Sequence, residues 1–194
     1  MDPKIETMQR LLSYILVCLS LAAATPILAQ ENSQTASTSL DSIYRLGAGD
    51  LLSVQVFGEP DLSFAEIRLT DAGTFSYPFL GEVRANGLTS AEVEETIKVS
   101  LLGDYLINPK VTVRILEYRP FFVNGEVKKP GGYPFTPGLT LRKVIAIAGG
   151  FTDRASRSKF YIIRDNDSKR KPVRSSLDSN IYPGDIVTVD DSFF

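Results

Sequence analysis

Histidine is absent from this 194-residue chain, tryptophan is absent too, and cysteine occurs once, as Cys18. Histidine is the commonest general acid/base near neutral pH, so its absence excludes Ser/His/Asp triads and histidine-based metal sites. A single cysteine can form neither an internal disulfide nor a zinc cluster of several thiolates. The sequence therefore predicts a protein that is not an enzyme, with no catalytic residue, no cofactor and no metal ion.

The chain also lacks a large net charge, with 21 basic against 23 acidic residues. This balance provides no overall attraction to nucleic acid, and we expect no nucleic-acid partner. Charge is nevertheless divided along the chain, because residues 30–116 hold 6 basic and 12 acidic side chains whereas residues 117–174 hold 13 and 5. Such modules can associate head to tail between identical subunits and close a ring. A solvated surface and a basic face that meets an anionic polymer are the alternatives.

The first 29 residues have the layout of a secretory signal peptide. Arg10 precedes an apolar run from Leu11 to Ala24, and the small residue Ala29 marks the expected cleavage site. The run is shorter than the ~20 apolar residues that a membrane span needs. The sequence therefore predicts an exported protein with a signal peptide at 1–29.

Two details of the leader stay open. Lipidation at Cys18 is the rival interpretation, but Val17 stands where a lipoprotein signal has a small residue. The true start is either Met1 or Met8. Residues 30–42 are polar and low in complexity, and we expect them to form a flexible tether.

Two stretches of the chain resemble each other, LGAGDLLSVQVFGE at 46–59 and YPGDIVTVDD at 182–191. In each, glycine permits a tight turn, aspartate accepts hydrogen bonds from nearby amides, and apolar alternation begins a strand. We therefore interpret Asp50 and Asp185 as turn-forming residues without a catalytic role. The other residues that we assign to turns are Gly49, Asp71, Gly73, Pro130, Gly131, Gly149, Gly150 and Gly184.

A helix is predicted within LTSAEVEETIKVSLLGDY. Val93, Ile97 and Leu101 share one helical face, and Thr89 with Glu92 fits a capping box. Alternation of apolar and polar residues predicts strands before and after this segment. The first half of the chain is therefore expected to contain strands and one helix.

The second half repeats this mixture with a shorter helix. LTLRKVIAIAGG is predicted to be helical with Thr140 as its N-cap, between strands and a charged hairpin tip, SKRK. In the first half, a hairpin turn is expected at 71–73. Mixed strands and short helices predict an α+β fold.

Several of these segments together resemble a known family. YRLGAGDLLSVQVFGEPDLS, TDAGTFSYPFLGEVRANGLTSAEVEETI and NPKVTVRI resemble the export domain of the polysaccharide export proteins of Gram-negative envelopes. FFVNGEVKKPGGYPFTPGLTLRKVIAIAGGFTDRAS, IIR and PGDIVTVDDSFF resemble the soluble-ligand-binding β-grasp (SLBB) domain that follows it in that family. The resemblance implies a small export domain of strands plus one helix at 43–117, followed by a β-grasp-like SLBB domain at 118–194.

The resemblance also implies a function. The chain would be a periplasmic, outer-membrane-associated component of a channel that secretes capsule or exopolysaccharide, assembled as a homo-oligomeric ring. Its expected partners are polysaccharide and an inner-membrane co-polymerase with a tyrosine kinase. Longer relatives carry a C-terminal amphipathic helix that lines the outer-membrane pore, and since this sequence ends at Phe194 we expect a separate outer-membrane β-barrel. A monomeric periplasmic module that binds a glycan or a small ligand is the alternative.

Two groups of side chains are candidates for contact with a second subunit or with polymer. They are four basic and three aromatic residues: Lys128, Lys129, Arg142, Lys143, Tyr118, Phe121 and Tyr133. The aromatic residues could instead build the core, since each buried ring removes ~150–250 Å² from water. A glycoside hydrolase is a further hypothesis, because paired carboxylates work without histidine, but Asp50, Glu59, Asp61 and Asp71 each have a plainer role in a turn or at a strand end.

Overall fold

The computed structural model describes residues 44–192. The signal peptide predicted at 1–29, with Cys18, and the tether predicted at 30–42 lie outside the described residues. Within them, ten strands, two α-helices and one turn of 3-10 helix confirm the predicted α+β class. No helix in this part of the chain is both long and apolar enough to cross a membrane.

The first module is built on a three-stranded antiparallel sheet in the order β2–β1–β5. A two-stranded ribbon of β3 and β4 and the helix α1 complete it, and α1 packs against β5. Its elements are β1 (Leu51–Val56), the 3-10 turn (Pro60–Leu62), β2 (Phe64–Arg68), β3 (Thr74–Tyr77), β4 (Gly81–Arg84), α1 (Ser90–Leu101) and β5 (Val111–Glu117).

The start of α1 confirms the predicted capping box. The Glu92 amide donates to Thr89 Oγ1 at 3.2 Å, and the Thr89 amide donates to Glu92 Oε2 at 2.7 Å. The hydrogen bond from the Thr89 backbone lowers the pKa of Glu92. Val93, Ile97 and Leu101, the predicted apolar face, are wholly buried. Local sequence therefore determines both where this helix begins and which face it buries.

The hairpin predicted at 71–73 is wrong. The turn does follow β2 and precede β3, but β2 pairs with β1 whereas β3 pairs with β4. It therefore carries the chain from the sheet to the ribbon. Spacing of the turn signals could not reveal this, because two successive strands pair only where their hydrogen-bonding edges meet in space.

The second module contains a five-stranded mixed sheet in the order β7–β6–β10–β8–β9, in which β10 is parallel to β6 and antiparallel to β8. Thr140 occupies the N-cap of α2 as predicted, but its side chain makes no capping hydrogen bond. The elements are β6 (Phe121–Gly125), β7 (Gly131–Tyr133), α2 (Leu141–Ile147), β8 (Ala155–Ile163), β9 (Val173–Ser175) and β10 (Ile186–Asp191).

The described residues form two apolar cores. One consists of side chains between Tyr44 and Val113, and the other of side chains between Phe121 and Val189. Tyr118 packs against both, with its ring edge-on to Tyr44 at 4.9 Å between centroids. The connection from β5 to β6 is thus held at the place where the two cores meet.

Candidate functional site

The first Gly-Asp turn places a buried carboxylate where the two modules meet. Asp50 is wholly buried, and its oxygens accept hydrogen bonds from Tyr44 Oη at 2.8 and 2.9 Å and from the Gly47 amide at 2.8 Å. They also accept from the amide of Arg119 at 2.7 Å and from its Nη1 at 3.2 Å. The carboxylate is therefore saturated with donors, as a buried charge must be.

Arg119 carries this network into the second module. Its Nε and Nη2 lie 3.1 and 2.9 Å from Oδ2 of Asp165, which follows β8. Its Nη1 donates to Tyr44 Oη at 2.6 Å, and its guanidinium lies 5.5 Å from the centroid of the Tyr44 ring. A continuous chain of ion pairs, Asp50–Arg119–Asp165, therefore crosses the junction.

Burial and the neighbouring charges shift the pKa values of Tyr44 and Arg119 in this network. Burial, and next the charge of Asp50, raise the pKa of the Tyr44 phenol far above its usual range. Burial opposes the charge on the Arg119 guanidinium, but Tyr44, Asp50 and Asp165 outweigh it and raise its pKa. At neutral pH the phenol keeps its proton and the guanidinium keeps its charge.

The second Gly-Asp turn repeats this arrangement. Asp185 is almost wholly buried, and its Oδ2 accepts from the Tyr182 amide at 2.9 Å and from Arg164 Nη1 at 2.5 Å. Arg164 Nη1 also donates to the carbonyl of Asn180, and its guanidinium lies 5.2 Å from the centroid of the Tyr182 ring. Burial raises the pKa of Asp185, opposed by the hydrogen bonds from Tyr182 and Arg164. Each turn thus consists of an aspartate, the amide three residues before it, an arginine and a tyrosine.

The two turns border one cleft of about 650 Å³. Volumes of roughly 300–1,000 Å³ at the boundary of two modules are typical of ligand sites. The polar side chains on its wall are Arg45, Asn86, Arg119, Arg164, Asp165, Asn166 and Asp185, and the aromatic ones are Tyr44 and Tyr182. The cleft is the candidate functional site of the described residues.

Three polar side chains of the cleft each lie against a glycine. A Cβ atom at any of these glycines would overlap the neighbouring side chain, so glycine provides the space. The pairs, with the distance from the Cβ position to the nearest atom, are Gly47 with Arg119 Nη1 at 2.4 Å, Gly73 with Asn86 Cβ at 2.4 Å and Gly184 with Asp165 Cγ at 2.6 Å.

The remaining residues assigned to turns lie apart from this cleft. Gly149 and Gly150 follow α2, where the amides of residues 128 and 129 donate to the carbonyls of Gly150 and Ala148. Pro130 immediately precedes β7, and Gly131 is the first residue of that strand rather than part of a turn. Asp71 is exposed.

The four basic candidate residues lie at the two ends of α2. The amides of Lys128 and Lys129 donate to Gly150 and Ala148 after its end, whereas Arg142 and Lys143 stand in its first turn. All four are exposed. Arg142 pairs with Asp178, also exposed, at 3.0 Å. The prediction that these four contact another subunit or polymer therefore concerns accessible side chains at the two ends of α2.

The three aromatic candidates have different environments. Tyr133 donates through its hydroxyl to the Lys129 carbonyl and stacks on Phe121 with 5.9 Å between centroids. Phe121 is wholly buried in the second core, so it reaches no partner, and its prediction as a contact residue is wrong. It fills an inward position of β6, which alternation alone cannot distinguish from an outward one. Tyr118 lies between the two cores.

Large exposed apolar residues in the loops of the first module were not predicted. β1 begins beside Glu117 at the junction, and the chain leaves it at Phe57, whose amide bonds to Lys110, so Phe57 lies at the opposite end. Phe79 stacks on Tyr105 with 4.9 Å between centroids. The large exposed apolar residues in this module include Phe57, Phe79, Leu102, Tyr105 and Ile107. Phe57, Phe79 and Tyr105 stand in turns, where period-two and helical patterns provide no signal. Leu102 follows the last residue of α1, and Ile107 stands in a bend.

The architecture is that of a two-module α+β protein in which the second module is a β-grasp domain. Residues 38–116 match the family described as "Polysaccharide biosynthesis/export protein". Residues 120–173 match the family described as "SLBB domain". With this pair of domains in this order, the chain belongs to the polysaccharide export protein family.

Curated relatives agree with this assignment. The chain is 34% identical over 131 residues to the exopolysaccharide production protein ExoF of Rhizobium meliloti (strain 1021), covering 60% of this chain and 30% of that protein. It is 30% identical over 180 residues to the EPS I polysaccharide export outer membrane protein EpsA of Ralstonia solanacearum, covering 76% and 48%. The EpsA protein of Ralstonia nicotianae is 27% identical over 170 residues, covering 74% and 44%. The chain thus spans less than half the length of each of these relatives.

Proposed function

We propose that this chain is a periplasmic, outer-membrane-associated component of a channel that secretes capsule or exopolysaccharide. The observation that carries the proposal is the succession of an export domain and an SLBB domain over residues 38–173. Two of the relatives are named as polysaccharide export outer membrane proteins and a third as an exopolysaccharide production protein.

In this proposal the chain handles polysaccharide without cleaving it. Asp50 and Asp185, the most deeply buried carboxylates, are occupied by amides and arginines. A general acid or a nucleophile for glycoside cleavage needs an oxygen that reaches the substrate, and paired carboxylates roughly 5–9.5 Å apart. The hydrogen bonds of these two residues support a structural role.

In this proposal copies of the chain assemble into a ring, through which the polymer passes toward the outer membrane. Two surface features support self-association. The first is the division of charge, with acidic residues in excess over 30–116 and basic residues in excess over 117–174. The second is the presence of large exposed apolar side chains in the loops of the first module, two of which, Phe79 and Tyr105, stack on each other, because clustered exposed apolar residues are typical of interaction surfaces. An inner-membrane co-polymerase with a tyrosine kinase stays an expected partner.

A monomeric module that binds a glycan or a small ligand is the second candidate. The cleft at the junction favours it, because a single chain already forms a concave site of ligand size. In this case the protein binds its ligand as a monomer, and polymer leaves the cell in its absence.

Deletion of the gene tests the proposal. We expect the polymer outside the cells to fall severalfold or more and polymer to accumulate within the envelope, and we expect a plasmid copy of the wild-type gene to reverse both effects. The measurement is the mass of polymer in the medium and in the envelope fraction. Normal secretion by the deletion strain would exclude the channel role and leave the monomeric binding module.

A further inference from the structure

Several polar groups at the cleft are not used by the fold. Within residues 44–192, the side chains of Asn86 and Asn166 and the hydroxyl of Tyr182 take part in no hydrogen bond, although all three residues are exposed at the cleft. Arg164 uses only Nη1, which leaves the N–H groups of Nε and Nη2 without an acceptor in this part of the chain. The cleft therefore offers donors and acceptors to a ligand.

The charges around the cleft are balanced. Each arginine that lines or borders it has a carboxylate within 4.0 Å, so that among residues 44–192 four cations of the cleft are matched by four carboxylates. The pairs are Arg45 with Glu92 at 3.6 Å, Arg119 with Asp50 at 3.2 Å and with Asp165 at 2.9 Å, Arg164 with Asp185 at 2.5 Å, and Arg170 with Asp165 at 4.0 Å. This composition suits an uncharged ligand rich in hydroxyl groups.

Tyr182 adds an aromatic surface. Its residue is 45% exposed, in contrast to Tyr44, which is 8% exposed and belongs to the first core. A tyrosine ring combines an apolar face with a polar hydroxyl, which matches a sugar ring with its C–H faces and equatorial hydroxyls. The Arg164 guanidinium, itself held by Asp185, lies 5.2 Å from the centroid of this ring and helps to hold it in place.

The wall of the cleft is preorganised. Arg119 and Asp165 are fixed by the ion pairs that cross the junction, and Asn86 packs against Gly73. A site whose groups are already in place loses less conformational entropy when it binds a ligand. The same ion pairs join the two sides of the cleft, one from each module.

We propose that this cleft binds an uncharged segment of the exported polysaccharide. Asn86, Asn166 and Arg164 bond sugar hydroxyls, and Tyr182 stacks on a sugar ring. The inference rests on the proposed export function and names its site on this chain. It predicts that a single chain binds the polymer, whether or not copies are assembled.

Titration calorimetry with the full chain tests the inference. The probe is the polymer secreted by the cells that make the protein, partly hydrolysed and separated by anion exchange into uncharged and acidic oligosaccharides. We expect the uncharged fraction to bind. Tyr182→Ala and Asn166→Ala should each weaken that binding by about fivefold or more, as the loss of one stacking contact or of a pair of hydrogen bonds implies.

Phe122→Ala is the matched control, because Phe122 is 45% exposed, as Tyr182 is, and does not line the cleft. It should bind oligosaccharide as the wild type does, and thermal unfolding should show all three variants folded. Binding confined to acidic fragments, no binding at all, or equal loss in all three variants would overturn the inference. If deletion of the gene blocks secretion while the cleft variants bind normally, the cleft is not the binding site for the polymer and the export function stands. If deletion leaves secretion unchanged, the export function is wrong.

Discussion

The two Gly-Asp turns have the same local chemistry but hold different parts of the molecule. Asp50 binds an arginine 69 residues later in the chain, and that arginine reaches on to Asp165 in the second module. Asp185 binds an arginine only 21 residues before it, within its own module. The turn at Asp50 therefore fixes the junction between the two modules. The turn at Asp185 instead joins the chain after β8 to the chain before β10, within the second module.

The difference shows that a turn motif does not determine its own partner. Both aspartates accept the amide three residues earlier, which is local and follows from the motif. The arginines are brought in by tertiary structure, and their exposure differs. The Arg119 side chain is 16% exposed and the Arg164 side chain 30% exposed. Removal of Asp50 therefore affects the more buried of the two guanidinium groups, and removal of Asp185 affects the more exposed one.

Asp50→Ala should have the largest effect on stability. It removes the acceptor of Tyr44, of two amides and of a buried guanidinium, and loss of one partner of a buried ion pair costs about 3–5 kcal/mol. Urea unfolding should show this loss in the free energy of unfolding. Asp71→Ala, in an exposed turn, should change it by less than about 0.5 kcal/mol. Equal losses in the two variants would show that the junction network contributes nothing.

Gly184→Ala should have the second-largest effect on stability, and Gly58→Ala is its matched control. The two glycines have φ of +82° and +83°, so alanine costs about 1–2 kcal/mol of backbone strain at each. At Gly184 the new Cβ would also lie 2.6 Å from Asp165 Cγ, whereas at Gly58 nothing lies within 4 Å. We expect Gly184→Ala to cost about 1–3 kcal/mol more than Gly58→Ala in urea unfolding. Identical values would mean that Asp165 moves aside without cost.

Asp185→Ala should cost about 2 kcal/mol, less than Asp50→Ala. Water can reach the Arg164 guanidinium when its carboxylate is removed, which is harder for Arg119. The comparison of the two free energies of unfolding measures the difference between the turns directly. A larger loss for Asp185→Ala would reverse the roles that we assign to them.

Tyr77→Phe should give the smallest change, with a dependence on pH. The hydroxyl donates to the Leu62 carbonyl at 2.7 Å, and its loss should cost about 1 kcal/mol near pH 8. Burial raises the pKa of Tyr77 to about 12, above its unfolded value of 10. The stability linked to this raised pKa is fully present below pH 10 and is lost as the pH rises through 12.

Unfolding of wild type and Tyr77→Phe between pH 8 and pH 12 measures this dependence. The difference in free energy of unfolding between the two proteins should become smaller above pH 10, because only the wild type has this phenol to ionise. Tyr105→Phe, at an exposed tyrosine, serves as the control and should show no such narrowing. A constant difference across the range would mean that the pKa of Tyr77 is not raised.

Much of the fold could be predicted from sequence where local signals determine it. The apolar face and the capping box of α1 follow from spacing alone, and so do the strands that begin after Asp50 and Asp185. The pairing of β2 with β1 instead of β3 could not be predicted, since it depends on which strand edges meet.

The cleft was predictable only in part. The two aspartates and the glycines beside them stand out in the sequence, but nothing local connects Arg119 to Asp50 across 69 residues. Phe121 shows the same limit, because an alternating pattern identifies two faces without showing which one is buried. The network could have been found only from the positions of both modules.

The central claim, that copies of this chain assemble to carry polymer, is tested most directly by the mass of the purified full chain in sedimentation velocity. We expect a multiple of the mass of one chain, and a return toward that single-chain mass when Lys128, Lys129, Arg142 and Lys143 are all changed to Glu. A strictly monomeric wild-type protein at high concentration, from cells that secrete normally, would contradict it.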